Sequence, residues 1–301
     1  MILSLTPTNF SDYALIDCGN FWKLERFGQF ITIRPEPQAV WDPSLPMSEW
    51  EKLAHVKFVP KSSSSGEWKK LKPMPDQWVI RYEKNGREQA IKAKPESGEI
   101  RLRMGLTSFK HVGVFPEQAV NWDYINESIG RMKTGTPRFL NLFAYTGGAS
   151  LAARAAGADT FHLDSIKQVV SWARENMELS NLQDIRWIVE DALKFVKREV
   201  KRGSKYNGII LDPPAYGHGP AGEKWKLEDN LNELMKNVLQ LLDEKQHFLI
   251  LNAYSLGFSS MILENLVQQN FKPRNTEIGE LYLQDSFGKK LPLGAFARFR
   301  S

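Results

Sequence analysis

Between residues 139 and 253, short apolar runs (FLNLFAY, FHLD, IRWIVE, GIILD and HFLILNA) are each followed by a stretch whose apolar residues recur at helical spacing. Strands that are apolar on both faces need helices to cover both faces. The alternation therefore calls for a parallel α/β sheet and excludes an all-helical or all-strand fold. In SIKQVVSWARENMELS the spacing places Ile166, Val169, Val170, Ala173 and Met177 on one side of a helix. DALKFVKREVKRG ends with basic residues and Gly203, as helix carboxyl ends do. The tail IGELYLQDSFGKKLPLGAFARF reads as a β-hairpin, so the predicted architecture is five parallel strands closed by an antiparallel C-terminal hairpin.

Upstream the pattern changes. QFITIRP, QWVIRY and IRLRM, rich in β-branched and aromatic residues and separated by Gly, Pro and Ser, predict a smaller β-rich domain over residues 1–106. Residues 107–138 connect the two, their second half with helical spacing, and residues 139–301 form the α/β domain. KSSSSG reads as a loop tip. Beside it Trp68, with Lys69, Lys70 and Lys72, suits stacking against single-stranded nucleic acid as well as it suits a core tryptophan next to exposed lysines.

The net charge is +5, yet residues 52–110 hold 14 Lys or Arg against 6 Asp or Glu, a local surplus larger than that of the whole chain. A polyanionic partner such as RNA fits this surplus, and so does an ordinary solvated face. One cysteine, Cys18, permits neither an internal disulfide nor a cysteine-based zinc site, and the five histidines lack metal spacing. No apolar run approaches the roughly 18 residues that cross a bilayer. The start MILSLTPTNFSDY lacks the secretory pattern, so the expectation is a cytoplasmic protein without metal. Oligomeric state is not legible in the sequence.

The first strand of the α/β region runs into LFAYTGGASLAARAAGA, a glycine pair opening an alanine-rich helix. Gly147 and Gly148 permit a sharp bend and close ligand approach, with helix-terminal N–H groups facing the ligand. A dinucleotide site would need a full G-x-G-x-x-G, and a P-loop its Lys-Ser/Thr; both are missing, which argues against a dehydrogenase and for a nucleoside-like ligand without pyrophosphate. Asp164 ends the second strand seventeen positions after Gly147, near the spacing at which an acid reaches ribose hydroxyls. Asp191 ends the third run and can accept a hydrogen bond from an amino group such as that of adenine. Either acid alone reads equally as a helix N-cap. With Asp212 they make three strand-terminal acids on one sheet edge, and S-adenosylmethionine, with its ribose, adenine and cationic centre, satisfies the set.

LNLFAYTGGAS, HLDSIKQVVSWARENMELSNL, EDALKF and ILDPPAYGHG together resemble the class I S-adenosylmethionine-dependent methyltransferases, and more narrowly the bacterial family around the 23S ribosomal RNA base methyltransferases. The resemblance spans roughly residues 107–301 and implies a Rossmann-like sheet. It implies that Tyr145, Thr146, Gly147 and Gly148 hold the methionine part of the cofactor, Asp164 its ribose, and Asp191 with Ala192 its adenine. HVGVFPEQAVNW is similar to the segment with which the family covers the cofactor, which makes Phe115 and Gln118 candidates.

In LDPPAYGHG the proline pair ends a strand, since it removes ladder donors and stiffens the bend. Asp212 and the Pro213 carbonyl are then candidate acceptors for the polar edge of a flipped-out base, Pro214 completes the rigid presenter, and Tyr216 is a stacking platform. His218 is a candidate base or an ordinary loop histidine. Cytosine C5 methylation needs a cysteine thiolate. Where the family's cytosine enzymes carry it this chain reads LNAYSLG, so a ring or amino nitrogen is the expected acceptor. The adenine N6 enzymes place the aromatic ring directly after the second proline, whereas Ala215 intervenes here. The competing readings are a small-molecule or protein methyltransferase and a non-catalytic RNA-binding protein.

Overall fold

The computed structural model describes residues 1–62, 65–83, 99–133, 135–254 and 257–301. Ser63 and Ser64 of the KSSSSG tract, part of the basic 52–110 segment, and Ser255 and Leu256 of LNAYSLG lie outside the described residues. The chain packs as two compact units that interleave along the sequence. Met1–Leu5, Val120–Leu281 and Gly294–Ser301 form one; Thr6–Ala119 and Tyr282–Leu293 form the other.

The larger unit is built on an eight-stranded sheet whose order is Ile2–Leu5, Thr276–Gln284, Lys290–Arg300, Phe248–Ala253, Gly208–Leu211, Arg138–Leu142, Asp159–Asp164, Ile185–Val189. The last five are parallel, and Lys290–Arg300 runs antiparallel to Phe248–Ala253. This is the sheet that the alternation of apolar runs predicts, with its C-terminal hairpin. An eighth strand, Ile2–Leu5, adds parallel to Thr276–Gln284, with Leu3 opposite Gly279. Its half-exposed edge position leaves a weak pattern in four residues, which is why it is not legible in the sequence. A Cβ on Gly279 would fall 2.0 Å from the Leu3 carbonyl oxygen, so the pairing needs glycine there.

The chain leaves Arg138–Leu142 for the two strands on one side and then crosses to Gly208–Leu211 on the other. The order reverses between these two neighbours, and ligands of open α/β sheets bind in the crevice at that reversal. Leu142, Leu163, Leu211 and Leu251 align across the ladder and are all buried, which brings the residues after them to one edge.

The helix Lys167–Leu179 departs from its predicted face. It buries Val170, Ala173 and Asn176, while Ile166 is its exposed N-cap residue and Val169 and Met177 are only half-buried. The helix starts one residue after Ile166, so that side chain lies outside the helical stripe.

The smaller unit is β-rich, as predicted. Tyr13–Gly19, Trp22–Phe27, Phe30–Pro35, Val56–Pro60 and Gly66–Lys70 form one sheet, and Gln77–Glu83 pairs with Glu99–Gly105 in a second. Its interior combines Leu24, Ile33, Trp50 and Ala54 with a buried ion pair, Arg34 to Glu25 at 2.7 Å. Burial alone would raise the Glu25 carboxyl, but Arg34 and Lys23 hold it at about 2.

Candidate active site

The turn after Arg138–Leu142 puts three residues in the left-handed region: Phe143 (φ 57°), Tyr145 (φ 48°) and Gly147 (φ 92°). For residues with side chains this costs about 1–3 kcal/mol each and persists only when surroundings over-determine it. The surroundings here are specific. Ala144 N–H donates to the Leu163 carbonyl at 3.0 Å and Gly147 N–H to the Ala144 carbonyl at 3.0 Å. Tyr145 N–H donates to Asp164 Oδ2 at 2.9 Å, and Asn176 Nδ2 donates to the Thr146 carbonyl at 2.9 Å. Gly147 then N-caps the helix Gly148–Ala155.

Ligand approach is not what the structure shows the glycines making room for. A Cβ on Gly148 would stand 2.3 Å from Cζ2 of Trp122, and one on Gly147 would stand 3.1 Å from Cβ of Ala173. Both glycines let neighbouring elements close up behind the turn, and Gly147 also supplies the positive φ.

Asp164 ends its strand as predicted. Its Oδ1 accepts from Ile166 N–H at 3.0 Å, so the carboxylate braces the backbone on both sides. Burial raises its pKa, and the backbone donors Ile166, Tyr145 and Ser165 pull it back only in part. A carboxylate offers about four acceptor sites, so these three backbone donors still leave room for a hydroxyl donor. Asp191 lies two residues beyond its strand, which stops at Val189. It N-caps the helix Ala192–Lys201, with Oδ1 accepting from Lys194 N–H at 2.8 Å. Ala192 is buried in the first turn.

Asp212 follows Leu211 at the level of Phe143 and Asn252. The residue keeps partial exposure while protein surrounds its carboxyl, and burial pushes the pKa up to about 7. Pro213 is buried and Pro214 exposed. Tyr216 opens a two-stranded ribbon, Tyr216–His218 against Lys224–Lys226, with 68% of its surface free. His218 is exposed on the same strand. A narrow cleft is lined by Asp164, Asp191 and Ala192 together with Phe143, Pro214, His218 and Trp225. The structure thus brings together the glycine turn, both flanking acids and the D-P-P segment.

Phe115 and Gln118 belong to the smaller unit. Phe115 leads into the short turn Pro116–Gln118 and its ring tilts against His111 at 5.1 Å. In the same unit Lys70 is tied to the Met74 carbonyl and Asp76, Lys72 reaches the Leu53 carbonyl, and Trp68 meets Phe58 edge-on at 5.1 Å. The bonds of Lys70 and Lys72 and the ring contact of Trp68 lie within their own unit.

Sequence reasoning missed Asn176 and Trp225. For Asn176 the signal was a polar residue three positions after Ala173 on an otherwise apolar face. It also missed a buried chain in which Asn141 Nδ2 donates to Ser150 Oγ, which lies 3.0 Å from His162 Nδ1. Desolvation holds His162 at about 3, so this Ser-His pair is neutral, buried and structural. Among the described residues no group of three His, Cys, Asp or Glu is placed to hold a metal, and no helix is long and apolar enough to cross a membrane.

A Rossmann-like sheet with a helix-opening glycine turn and carboxylates at successive strand ends defines a nucleoside-binding enzyme class. The S-adenosylmethionine-dependent methyltransferase family matches residues 92–267, and the chain belongs to it. The solved structure of a SAM-dependent methyltransferase from Agrobacterium tumefaciens is 34% identical, covers 99% of this chain and 93% of its own, and superposes with a TM-score of 0.87. Ribosomal RNA large subunit methyltransferase K/L of Vibrio cholerae is 28% identical over 205 residues, covering 61% of this chain and 28% of that protein. Its Aeromonas hydrophila namesake is 29% identical over 180 residues, 56% and 24% respectively. The chain thus spans about a quarter of the length of these curated relatives. The protein is an S-adenosylmethionine-dependent methyltransferase, and the turn and acids around the cleft fit that cofactor.

The cap that Asp191 makes and the adenine role expected of it can be separated. Asparagine caps as well as aspartate, whereas alanine costs about 1 kcal/mol. Asp191→Asn is expected to keep the wild-type melting temperature and to weaken S-adenosylhomocysteine binding severalfold by calorimetry. Unchanged binding would leave Asp191 as a cap alone.

Proposed function

We propose that this methyltransferase acts on a base of RNA, with ribosomal RNA the first candidate, and at a nitrogen atom. The observation that carries the reading is Tyr216, a largely exposed ring on a two-stranded ribbon that begins one residue beyond the D-P-P segment. A planar base can stack there while the Asp212 carboxylate and the Pro213 carbonyl accept hydrogen bonds from its edge. The names of the curated relatives support ribosomal RNA as the substrate class.

When bound, S-adenosylmethionine supplies an activated methyl group. Tyr145, Thr146, Gly147 and Gly148 hold its methionine part, Asp164 its ribose, and Asp191 with Ala192 its adenine. Phe115 and Gln118 keep only the assignment that the resemblance gives them. Asp212 orients the acceptor nitrogen and takes up or holds its proton, and the proline pair fixes where that happens. Nitrogen is favoured because the chain's one thiol is unsuited to addition. Cys18 is buried, and burial followed by the Asp285 charge pushes it to about 12, so it is not a thiolate at neutral pH.

Incubating the purified protein with radiolabelled S-adenosylmethionine and ribosomal RNA from a strain lacking it, followed by nucleoside analysis, tests the reading. A labelled N-methyl nucleoside is expected. 5-Methylcytosine would overturn the nitrogen assignment. Unlabelled RNA, free or in subunits, beside intact cofactor binding would shift the reading to a small-molecule or protein acceptor.

A further inference from the structure

Trp225 has no part in these assignments, yet it touches both halves of the site. Its side chain is nearly buried, at 6% exposure. The ring packs on Phe143 with centroids 4.9 Å apart and planes inclined by 54°. Its Nε1–H donates to the Pro214 carbonyl at 2.6 Å. Phe143 opens the left-handed turn that leads into Gly147, and Pro214 lies in the D-P-P segment. Trp225 itself is fixed opposite Gly217 in the ribbon that presents Tyr216. A phenylalanine would fill most of this space; the indole N–H adds a directed bond to one particular carbonyl.

That bond also bears on what the acceptor can meet. The Pro214 carbonyl is taken by Trp225, and the next one, Ala215, accepts from Leu227 N–H at 2.9 Å. Both carbonyls after Pro213 are therefore engaged by the return strand of the ribbon and the helix that follows it.

We propose that Trp225 is a positioning residue that ties the D-P-P segment to the cofactor turn through Pro214 and Phe143, so that filling the cofactor cleft stiffens the acceptor side of the site. The proposal rests on this cleft being the methyltransferase cofactor site and does not depend on RNA being the acceptor. Methyl transfer tolerates little misplacement, since an error near 1 Å can cost about 10²-fold in rate. A fixed spacer between the two halves answers that demand.

Hydrogen exchange of the full chain with and without S-adenosylhomocysteine tests it without any acceptor. In the wild type the ligand is expected to slow exchange severalfold across residues 212–218. In Trp225→Phe, measured at saturating ligand because Trp225 lines the cleft, that slowing is lost. The same decoupling is expected of Phe143→Leu, which cuts the other contact, so the result does not depend on one variant folding. Where an acceptor is in hand, Trp225→Phe should lower kcat by about 10²-fold at saturating cofactor. Equal slowing in wild type and both variants would overturn the proposal. So would loss of ligand binding at saturating concentrations and an unchanged melting temperature, which would make the indole a direct cofactor contact instead of a spacer. Failure to label RNA would overturn the substrate reading and leave the exchange result standing.

Discussion

Asp212→Asn lowers methyl transfer by about 10²- to 10⁴-fold, the range of a lost proton acceptor, while S-adenosylhomocysteine binds as in the wild type. Asparagine keeps the size and one carbonyl oxygen of the side chain but cannot take a proton. The pH dependence should carry the same signature. Burial raises the Asp212 carboxyl from its ordinary 3.8 to about 7, so the wild-type rate climbs through pH 7 as the carboxylate forms and levels off above it. The Asn variant should be slow and flat over the same range. Stability should move the opposite way. The native state holds this proton more tightly than the unfolded chain, so the associated stability is fully present below about 3.8 and is lost as pH rises through about 7. Asp212→Asn carries no such charge and should melt above the wild type at pH 8 and close to it at low pH. A rate independent of pH between 6 and 8, or an Asn variant as fast as the wild type, would remove Asp212 from the chemistry.

The succession of parallel strands along the chain and the positions of Asp164 and Asp212 were legible because strand ends in such a sheet are set by local pattern: an apolar run, then an acid, a glycine pair or a proline pair. What was not legible depends on partners far away in sequence. Ile2–Leu5 joins a strand more than 270 residues on, and no local pattern announces that pairing. Asp191 has the composition of a ligand-binding acid and the geometry of a cap, and only the Lys194 N–H bond decides that it caps. Asn176 and Trp225 look like a stray polar and a core aromatic until Thr146 and Pro214 are seen across from them. The glycine pair also answers a demand the sequence does not display, the close packing of Trp122 and Ala173 from neighbouring helices.

That crowding sets the other large effect: Gly148→Ala should abolish measurable cofactor binding. Backbone strain is not the cause. Gly148 lies at the start of a helix, where replacing glycine by alanine ordinarily gains up to about 1 kcal/mol. Against that gain stands a Cβ placed 2.3 Å from Cζ2 and 2.7 Å from Cε2 of Trp122, a ring only 3% exposed with little room to retreat. Overpacking of this kind costs about 1–3 kcal/mol and sometimes more, so the clash outweighs the propensity. The helix start, and with it the turn from Phe143 to Gly147, is expected to shift away from the strand ends. Gly147→Ala faces a milder contact, 3.1 Å to Cβ of Ala173, plus a left-handed φ that costs about 1–2 kcal/mol. It should lower stability comparably but weaken binding less. A double-mutant cycle separates the cause: Gly148→Ala combined with Trp122→Leu should be less destabilised than the sum of the single changes, because the second substitution removes the ring the first collides with. If Gly148→Ala binds S-adenosylhomocysteine like the wild type and melts at the same temperature, the tight packing of that turn against Trp122 is not what holds the cofactor site in shape.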